Sequence, residues 1–325
     1  MSRYYSGPVS DHFDGTHFFG PVKSGGKSLG DMLRWQFSGA RAKWPKSISN
    51  DAYPLPPQRV DDGSTGLTMI GHVSVLIQCA GLNILTDPVW SDRASPSQAF
   101  GPKRVRAPGV ALADLPPIDV ILVSHNHYDH LDTATLAALV ARFDPLIVTP
   151  LGNDTIIAAK VPSARIAPID WDERIARGGL IIEAEPCNHW SARWTSDRNE
   201  ALWAAFTLHI GGKRIYVNCD TGFAGGWWAQ RLIEKHKSID LALIPIGAYA
   251  PRWFMADAHM DPDEAVRIHQ MLGGPPTLGY HCGTFQLTDE AIDEPKARLA
   301  AALNREGIDG GRFRTLDPGQ GWVIG

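Results

Sequence analysis

The chain has 325 residues, with 31 basic against 35 acidic side chains for a net charge of −4, and is 44% hydrophobic and 20% charged. That is the make-up of a globular protein with a sizeable core, built as one large domain or two. The balance of charge excludes a general attraction to nucleic acid or anionic lipid and leaves only local patches to supply one. No apolar run is long enough to span a bilayer, and the opening MSRYYSGPVSDHFDG has no signal-like apolar core, so a cytoplasmic location is expected. The four cysteines, Cys79, Cys187, Cys219 and Cys282, contain no CxxC pair and are expected to be reduced and mostly buried.

Residues 1–65 are rich in Gly, Pro, Ser and basic groups and read as an extension packed on a domain formed by 66–325. Within it, Leu29, Met32, Leu33 and Phe37 follow helical spacing, while Lys27, Arg34, Arg41, Lys43 and Lys46 face Asp31 alone. The first expectation for 27–46 is a helix docked on its own domain with a solvated basic face. The second is peripheral contact with a membrane. The nearby GPVKSGGKSLG is not a phosphate-binding loop, because Pro21 stands where its first glycine belongs and no strand precedes it.

From Gly66 the pattern changes. Residues 68–78 read as a strand, Gly81 as a turn and 83–87 as a second strand. A loop over 91–117 leads to the buried strand 118–124 and a helix capped by Asp132 with Leu136, Leu139, Val140 and Phe143 on one face. Then come a strand at 146–150, a short helix at 153–160, a strand at 180–186 and a hairpin over 205–220 turning at Gly211–Gly212. A helix at 227–236, a strand at 240–247, a helix at 262–272 with Asp261 and Glu264 as capping box, a strand at 277–281 and a last helix complete the order. This mixture predicts an α/β fold of two sheets face to face with helices outside.

The stretch SHNHYDH at 124–130 places His125, His127, Asp129 and His130 directly after a predicted strand. His189, Asp220 and His281 also fall at the ends of predicted strands, where α/β proteins gather chemistry from distant sequence. Imidazole and carboxylate suit zinc, iron, manganese or nickel. Seven such donors exceed the four of one tetrahedral zinc and suit two metals with a shared bridge. The alternative is a polar loop rich in histidine by chance.

The HxHxDH pattern, followed by His189, Asp220 and His281, resembles the metallo-β-lactamase superfamily. DHFDGTHFFGP (11–21), PIGAYAPRWFM (245–255) and HCGTF (281–285) carry the resemblance further, to the N-acylphosphatidylethanolamine-hydrolysing phospholipase D branch and its bacterial relatives, over residues 10–290. The resemblance implies an αββα sandwich and a phosphodiesterase with two divalent metal ions, Zn2+ first, with Fe, Mn or Ni as alternatives. It assigns His125, His127 and His189 to one metal, Asp129, His130 and His281 to the other, and Asp220 to a bridge, with a hydroxide between the metals as nucleophile. Tyr128 and His259 match positions that touch the phospholipid. Cys219 and Cys282 depart from the family's Gly and Trp at those places.

Beyond the ligands, Asp129 can orient the nucleophile, and His259 is a candidate to steady an oxyanion or protonate a leaving group, or else a helix-entry histidine with no contact to substrate. Asp87 is the candidate partner behind a ligand histidine, and His72 a structural residue or a second such partner. Trp190, Trp194, Trp227, Trp228, Trp253 and Phe254 either wall an acyl pocket or, for at least half of them, lie in the core. Lys103, Arg104 or Arg106 is a candidate for a substrate phosphate, with a solvated run of loop charge as the equal alternative. A small-molecule or phospholipid substrate is expected and nucleic acid is not. A lactonase or esterase of the same fold, and a lipid- or metal-binding protein with little catalysis, stay open. The sequence sets no oligomeric state.

Overall fold

The computed structural model describes every residue except 23, 25 and 40. In the N-terminal segment lies α1 (Leu29–Gln36). It is followed by β1 (Thr65–Gly71), β2 (Ser74–Cys79), β3 (Leu82–Thr86), β4 (Val120–Leu122), α2 (Thr133–Phe143), β5 (Leu146–Pro150), α3 (Asn153–Ala158) and β6 (Arg165–Ile169). The second half contains β7 (Arg174–Arg177), β8 (Leu180–Glu185), β9 (Ala205–Ile210), β10 (Lys213–Val217), α4 (Trp227–His236), β11 (Leu241–Pro245), α5 (Arg252–Met255), α6 (Pro262–Met271), β12 (Thr277–Tyr280), α7 (Glu294–Arg305), β13 (Phe313–Thr315) and β14 (Gly321–Ile324).

Two seven-stranded sheets result, ordered β14-β1-β2-β3-β4-β5-β6 and β13-β12-β11-β10-β9-β8-β7. Each is mixed. β3 to β6 run parallel and β1 to β3 antiparallel, while β10 to β13 run parallel and β7 to β10 antiparallel. Side-chain alternation along the strands explains the layers. In β2, Val75 and Ile77 point into the cluster between the sheets with Phe206, Leu208 and Leu243, whereas Leu76 points outward to Leu136 and Leu139 of α2. The other outer face, with Tyr216 and Ile244, is covered by Trp228 of α4, Ile268 of α6 and Leu299 of α7. This is the expected αββα sandwich. Each fully buried aliphatic side chain contributes about 1.5–3 kcal/mol to it. Phe13 and Phe18, from the N-terminal segment, are buried in that same outer cluster.

Several elements differ from the sequence reading, the short α5 among them. The strand expected at 68–78 is broken into β1 and β2, because Gly71 (φ 149°) and His72 (φ 55°) turn the chain into a hairpin. β6 and β7 were not anticipated. They are short, largely exposed and studded with arginine, so the apolar signal of a strand is weak there. The C-terminal tail also adds a strand to each sheet, β13 beside β12 and β14 beside β1.

Candidate metal centre

β1, β3, β4, β8, β10 and β12 all end at one rim of the sandwich, and each delivers a polar side chain there. His72 leaves β1, Asp87 follows β3, and 124–130 follows β4. His189, Asp220 and His281 follow β8, β10 and β12. Three of these, His72 (φ 55°), Asp87 (φ 31°) and His281 (φ 63°), sit in the left-handed region that non-glycine residues rarely adopt. Such strain persists where the surrounding structure fixes it, and it clusters at functional sites. Gly247 makes room for one of them, since a Cβ there would lie 2.1 Å from the carbonyl oxygen of His281.

All seven expected ligands converge. His125, His127 and His189 form one group, with His125 Nε2 2.8 Å and His189 Nε2 3.3 Å from His127 Nδ1. Asp129, His130 and His281 form a second, with His281 Nε2 3.5 Å and His130 Nε2 3.6 Å from Asp129 Oδ2. Asp220 lies between them. Its Oδ2 is 3.1 Å from His130 Nε2 and 3.9 Å from His189 Nε2, and its Oδ1 is 3.0 Å from His281 Nε2.

His72 stands closer than a purely structural residue would, with Nε2 2.9 Å from Asp129 Oδ2, and it completes the second group. Asp87 Oδ2 accepts from His130 Nδ1 at 2.8 Å. Ser124, which was read only as the end of a strand, donates its hydroxyl to Asp87 at 2.6 Å and lies 3.0 Å from His125 Nδ1. The carbonyl of Ala258 accepts from His189 Nδ1 at 3.0 Å and fixes that ring. Nothing in the sequence marks an alanine carbonyl for this part.

The donor set fits divalent cations. His125, His130, His189 and His281 are essentially excluded from solvent, yet His127 Nε2 and His259 Nδ1 have no hydrogen-bond partner among the described residues, and His281 Nε2 and Asp220 Oδ1, though 3.0 Å apart, are not aligned for a hydrogen bond. Buried polar atoms without partners cost free energy unless something else meets them. Burial pulls His127 and His189 down to about pKa 3 and His125 well below its ordinary value, which leaves three neutral imidazoles with free lone pairs. Burial opposes protonation at His130 and His281 as well, but Asp220 and Asp129 outweigh it, placing His281 at about 9 and His130 well above its usual range. Protons there occupy positions a second cation would take. Asp129 and Asp220 stay ionised despite their burial because histidines surround them.

A cavity of about 420 Å3 opens onto His127, Asp129 and Asp220 and is lined by Tyr128 and His259. His259 Nδ1 lies 3.8 Å from Asp220 Oδ2 and has no hydrogen-bond partner among the described residues, and the Tyr128 ring lies under the Arg193 guanidinium at 3.7 Å. Of the six aromatics considered from sequence, only Trp190 and Phe254 line this cavity. Trp228 alone of the six is buried, and Trp194 and Trp253 are exposed. The expectation that half or more lie in the core was too high. Lys103, Arg104 and Arg106 do not line the cavity. Arg104 instead turns inward to the carbonyls of Val89 and Ser91, because its loop folds back on Phe285. Cys219 faces away from the site, as alternation requires, and meets Cys187 Sγ at 3.2 Å as a free thiol. Cys79 and Cys187 are buried free thiols, and Cys282 is half-buried at the edge of the outer cluster.

A family model described as a β-lactamase superfamily domain matches residues 82–282. An N-acyl-phosphatidylethanolamine-hydrolysing phospholipase D of Caenorhabditis elegans is 37% identical over 295 residues, covering 85% of this chain and 82% of its own. A protein of Mycobacterium tuberculosis, described as uncharacterised, is 38% identical over 271 residues, covering 81% of this chain and 72% of its own. Among solved structures, an isothiocyanate hydrolase from Delia radicum gut bacteria superposes with a TM-score of 0.62 at 21% identity, covering 79% of this chain and 98% of its own. At that identity it speaks for the fold alone. The chain belongs to the metallo-β-lactamase superfamily of metal-dependent hydrolases, and within it is similar to the N-acyl-phosphatidylethanolamine-hydrolysing phospholipases D.

Proposed function

We propose that the protein is a phosphodiesterase that cleaves N-acylated glycerophospholipids at a membrane surface, with two divalent cations, zinc foremost, held by the seven ligands. The observation that carries this reading is the cavity's double character. One end holds Asp129, Asp220, His127 and His259, and the walls include apolar Met32, Trp35, Phe254, Met255 and Leu287. A metal site needs the first, and an acyl chain needs the second. Bound divalent cations would supply Lewis acidity, activating water near neutral pH and neutralising charge on a phosphoryl oxygen.

The chain's own residues do the rest. Asp220 and Asp129 hold negative charge on both sides of the ligand cluster. Asp87 and the Ala258 carbonyl fix the rings of His130 and His189, so the nitrogens turned to the site are set before substrate arrives. His259 and Tyr128 line the cavity, and in this reading they donate to oxygens of the substrate and of the departing group. Water adds to phosphorus, the bond to the headgroup oxygen breaks, and the proton passes to that oxygen.

α1 supports the membrane part. Every residue of α1 keeps at least partial exposure, and Leu29, Leu33 and Phe37 form an apolar stripe, with Phe37 84% exposed. Met32 and Trp35 of the same helix wall the cavity. Arg34, Arg41, Lys43 and Lys46 form no salt bridge among the described residues, although Asp31 acts on Arg34 at a distance and Arg34 lies over the Trp253 ring, and this basic face suits an anionic bilayer surface. Among the described residues no helix is long and apolar enough to cross a membrane.

The test is elemental analysis of the purified protein together with hydrolysis of N-acylphosphatidylethanolamine vesicles, a simple diester and a lactone panel. Two equivalents of metal with release of phosphatidate and N-acylethanolamine are expected. Turnover of lactones by metal-loaded protein that leaves every diester intact would replace this reading with the lactonase one. Co-flotation with anionic but not zwitterionic vesicles, lost in Leu33→Ser/Phe37→Ser, tests the membrane contact.

A further inference from the structure

One cation in the cavity wall has no counter-charge among the described residues. Arg198 follows β8 on the loop that carries His189, and its guanidinium carbon lies 3.9 Å from the centre of the Trp190 ring. The same indole ring stands 4.3 Å from the ring of His127, so Arg198 is separated from a candidate metal ligand by one aromatic ring. Only one of its five N–H donors meets an acceptor among the described residues, Nη2 donating to the Ser24 carbonyl at 3.0 Å. Burial lowers its pKa, and no carboxylate acts against that effect. Lys27, the other cation of the cavity wall, is already paired with Asp257 at 2.9 Å. Arg193, earlier on the same loop, has two carbonyls on its Nη1 and the ring of Tyr128 against it.

A partly buried guanidinium without a counter-ion is costly, since its hydration is reduced and nothing replaces it. A surface arginine could swing into water. This one lies against Trp190 and lines the cavity. We propose that Arg198 forms a second anion site beside the metal centre, which takes an oxyanion carried on the headgroup of the substrate, a carboxylate being the smallest. The inference rests on the phosphodiesterase reading for its substrate class and narrows it. The scissile phosphate lies at the ligand cluster, and the preferred headgroup bears a further negative charge on the Trp190 side. A planar fork of donors suits a carboxylate better than a point charge does.

The experiment uses the full-length, metal-loaded protein and three short-chain phosphodiesters that differ in the headgroup alone: N-acylserine with a free carboxylate, its methyl ester, and N-acylethanolamine. Dissociation constants for their non-cleavable phosphonate counterparts are measured by calorimetry, and kcat and KM for the cleavable forms. The free carboxylate is expected to bind at least about tenfold tighter than the methyl ester, the range of one charge-assisted pair. That ratio falls to about one in Arg198→Gln and is partly kept in Arg198→Lys, and the preference appears in KM more than in kcat. Equal affinity for carboxylate and ester in the unmodified protein, or a preference that survives Arg198→Gln, overturns the proposal. Failure of all three cleavable diesters to turn over counts against the phosphodiesterase reading instead, and the calorimetric comparison still decides on Arg198.

Discussion

Replacing Asp87 by asparagine tests how the candidate ligands are held from behind. Asp87 is 4% exposed and meets three donors. Oδ1 accepts from the Ser124 backbone N–H at 2.7 Å, and Oδ2 accepts from the Ser124 hydroxyl at 2.6 Å and from His130 Nδ1 at 2.8 Å. Asparagine keeps the shape but turns one oxygen into an NH2 group. The hydroxyl of Ser124 can rotate to accept from it, whereas the backbone N–H and the ring N–H cannot. One buried donor is therefore left facing another, which costs about 1–3 kcal/mol. With an unfolding entropy of about 2.1 cal/mol/K per residue, the melting temperature of a chain this long falls by about 2–4 °C. The larger effect falls on the metal, because a freed His130 ring no longer presents Nε2 beside Asp220. Loss of a partner behind a ligand histidine weakens metal binding by about 10–100-fold. Competition with a chromophoric chelator measures the affinity, and scanning fluorimetry of chelated protein measures the stability. An Asp87→Asn protein with unchanged metal affinity and melting temperature would reduce Asp87 to the filler of a turn before Pro88.

Asp220→Ala is expected to lose nearly all activity and most bound metal, since its two oxygens face both ligand groups; elemental analysis with kinetics decides, and full activity would overturn the assignment. His259→Ala is expected to keep its metal and lose rate by about 10²–10⁴-fold, the usual worth of a positioned donor or acid, and metal loss in that variant would make His259 a ligand instead. His12 gives a pH prediction remote from the metal. Burial disfavours its charged form, but hydrogen bonds to Asp170 at 2.7 Å and Asp11 at 2.6 Å prevail and raise its pKa above the ordinary 6.5. A raised folded value means the stabilisation is complete below about pH 6.5 and fades as pH climbs through the folded pKa. His12→Gln should therefore cost up to about 1 kcal/mol at pH 6 and less at pH 9, and equal melting shifts at both would refute it.

The metal centre was legible because its chemistry is concentrated. Four of seven candidate ligands lie within six residues, and the other three end apolar runs that read as strands. The hairpin at His72 was hidden, since a turn made by one glycine and a strained histidine interrupts a continuous apolar stretch without a polar break. β6 and β7 were hidden for the opposite reason, as exposed edges with little apolar pattern. Ser124 and the Ala258 carbonyl act through backbone placement and hydroxyl geometry, which residue type does not encode. Arg198 and Met32 become cavity residues only when segments far apart in the chain are brought together. The N-terminal segment was the least legible, because Phe13 and Phe18 carry no periodicity, yet both are fully buried.

The ligand cluster also predicts how stability depends on metal. Without cations, Asp129, Asp220 and Asp87 share a nearly dry site with five buried histidines, and several of their ring and carboxylate atoms have no aligned hydrogen-bond partner among the described residues. Two of the histidines are held protonated by the acids, while the rest are kept neutral, so the protein balances the site with protons. The unfolded chain has no such assembled site, so metal binding adds directly to folding free energy. For one site at a thousandfold excess over its dissociation constant, that is about 4 kcal/mol. By the same entropy scaling the melting temperature should fall by about 6 °C when an excess of chelator strips the protein, and recover when zinc is returned. Asp220→Ala, which disconnects the two ligand groups, should show little of this increment. Identical melting with and without chelator, in protein confirmed metal-free by elemental analysis, would mean that the rim is satisfied by protons alone and that its histidines serve the fold rather than a cation.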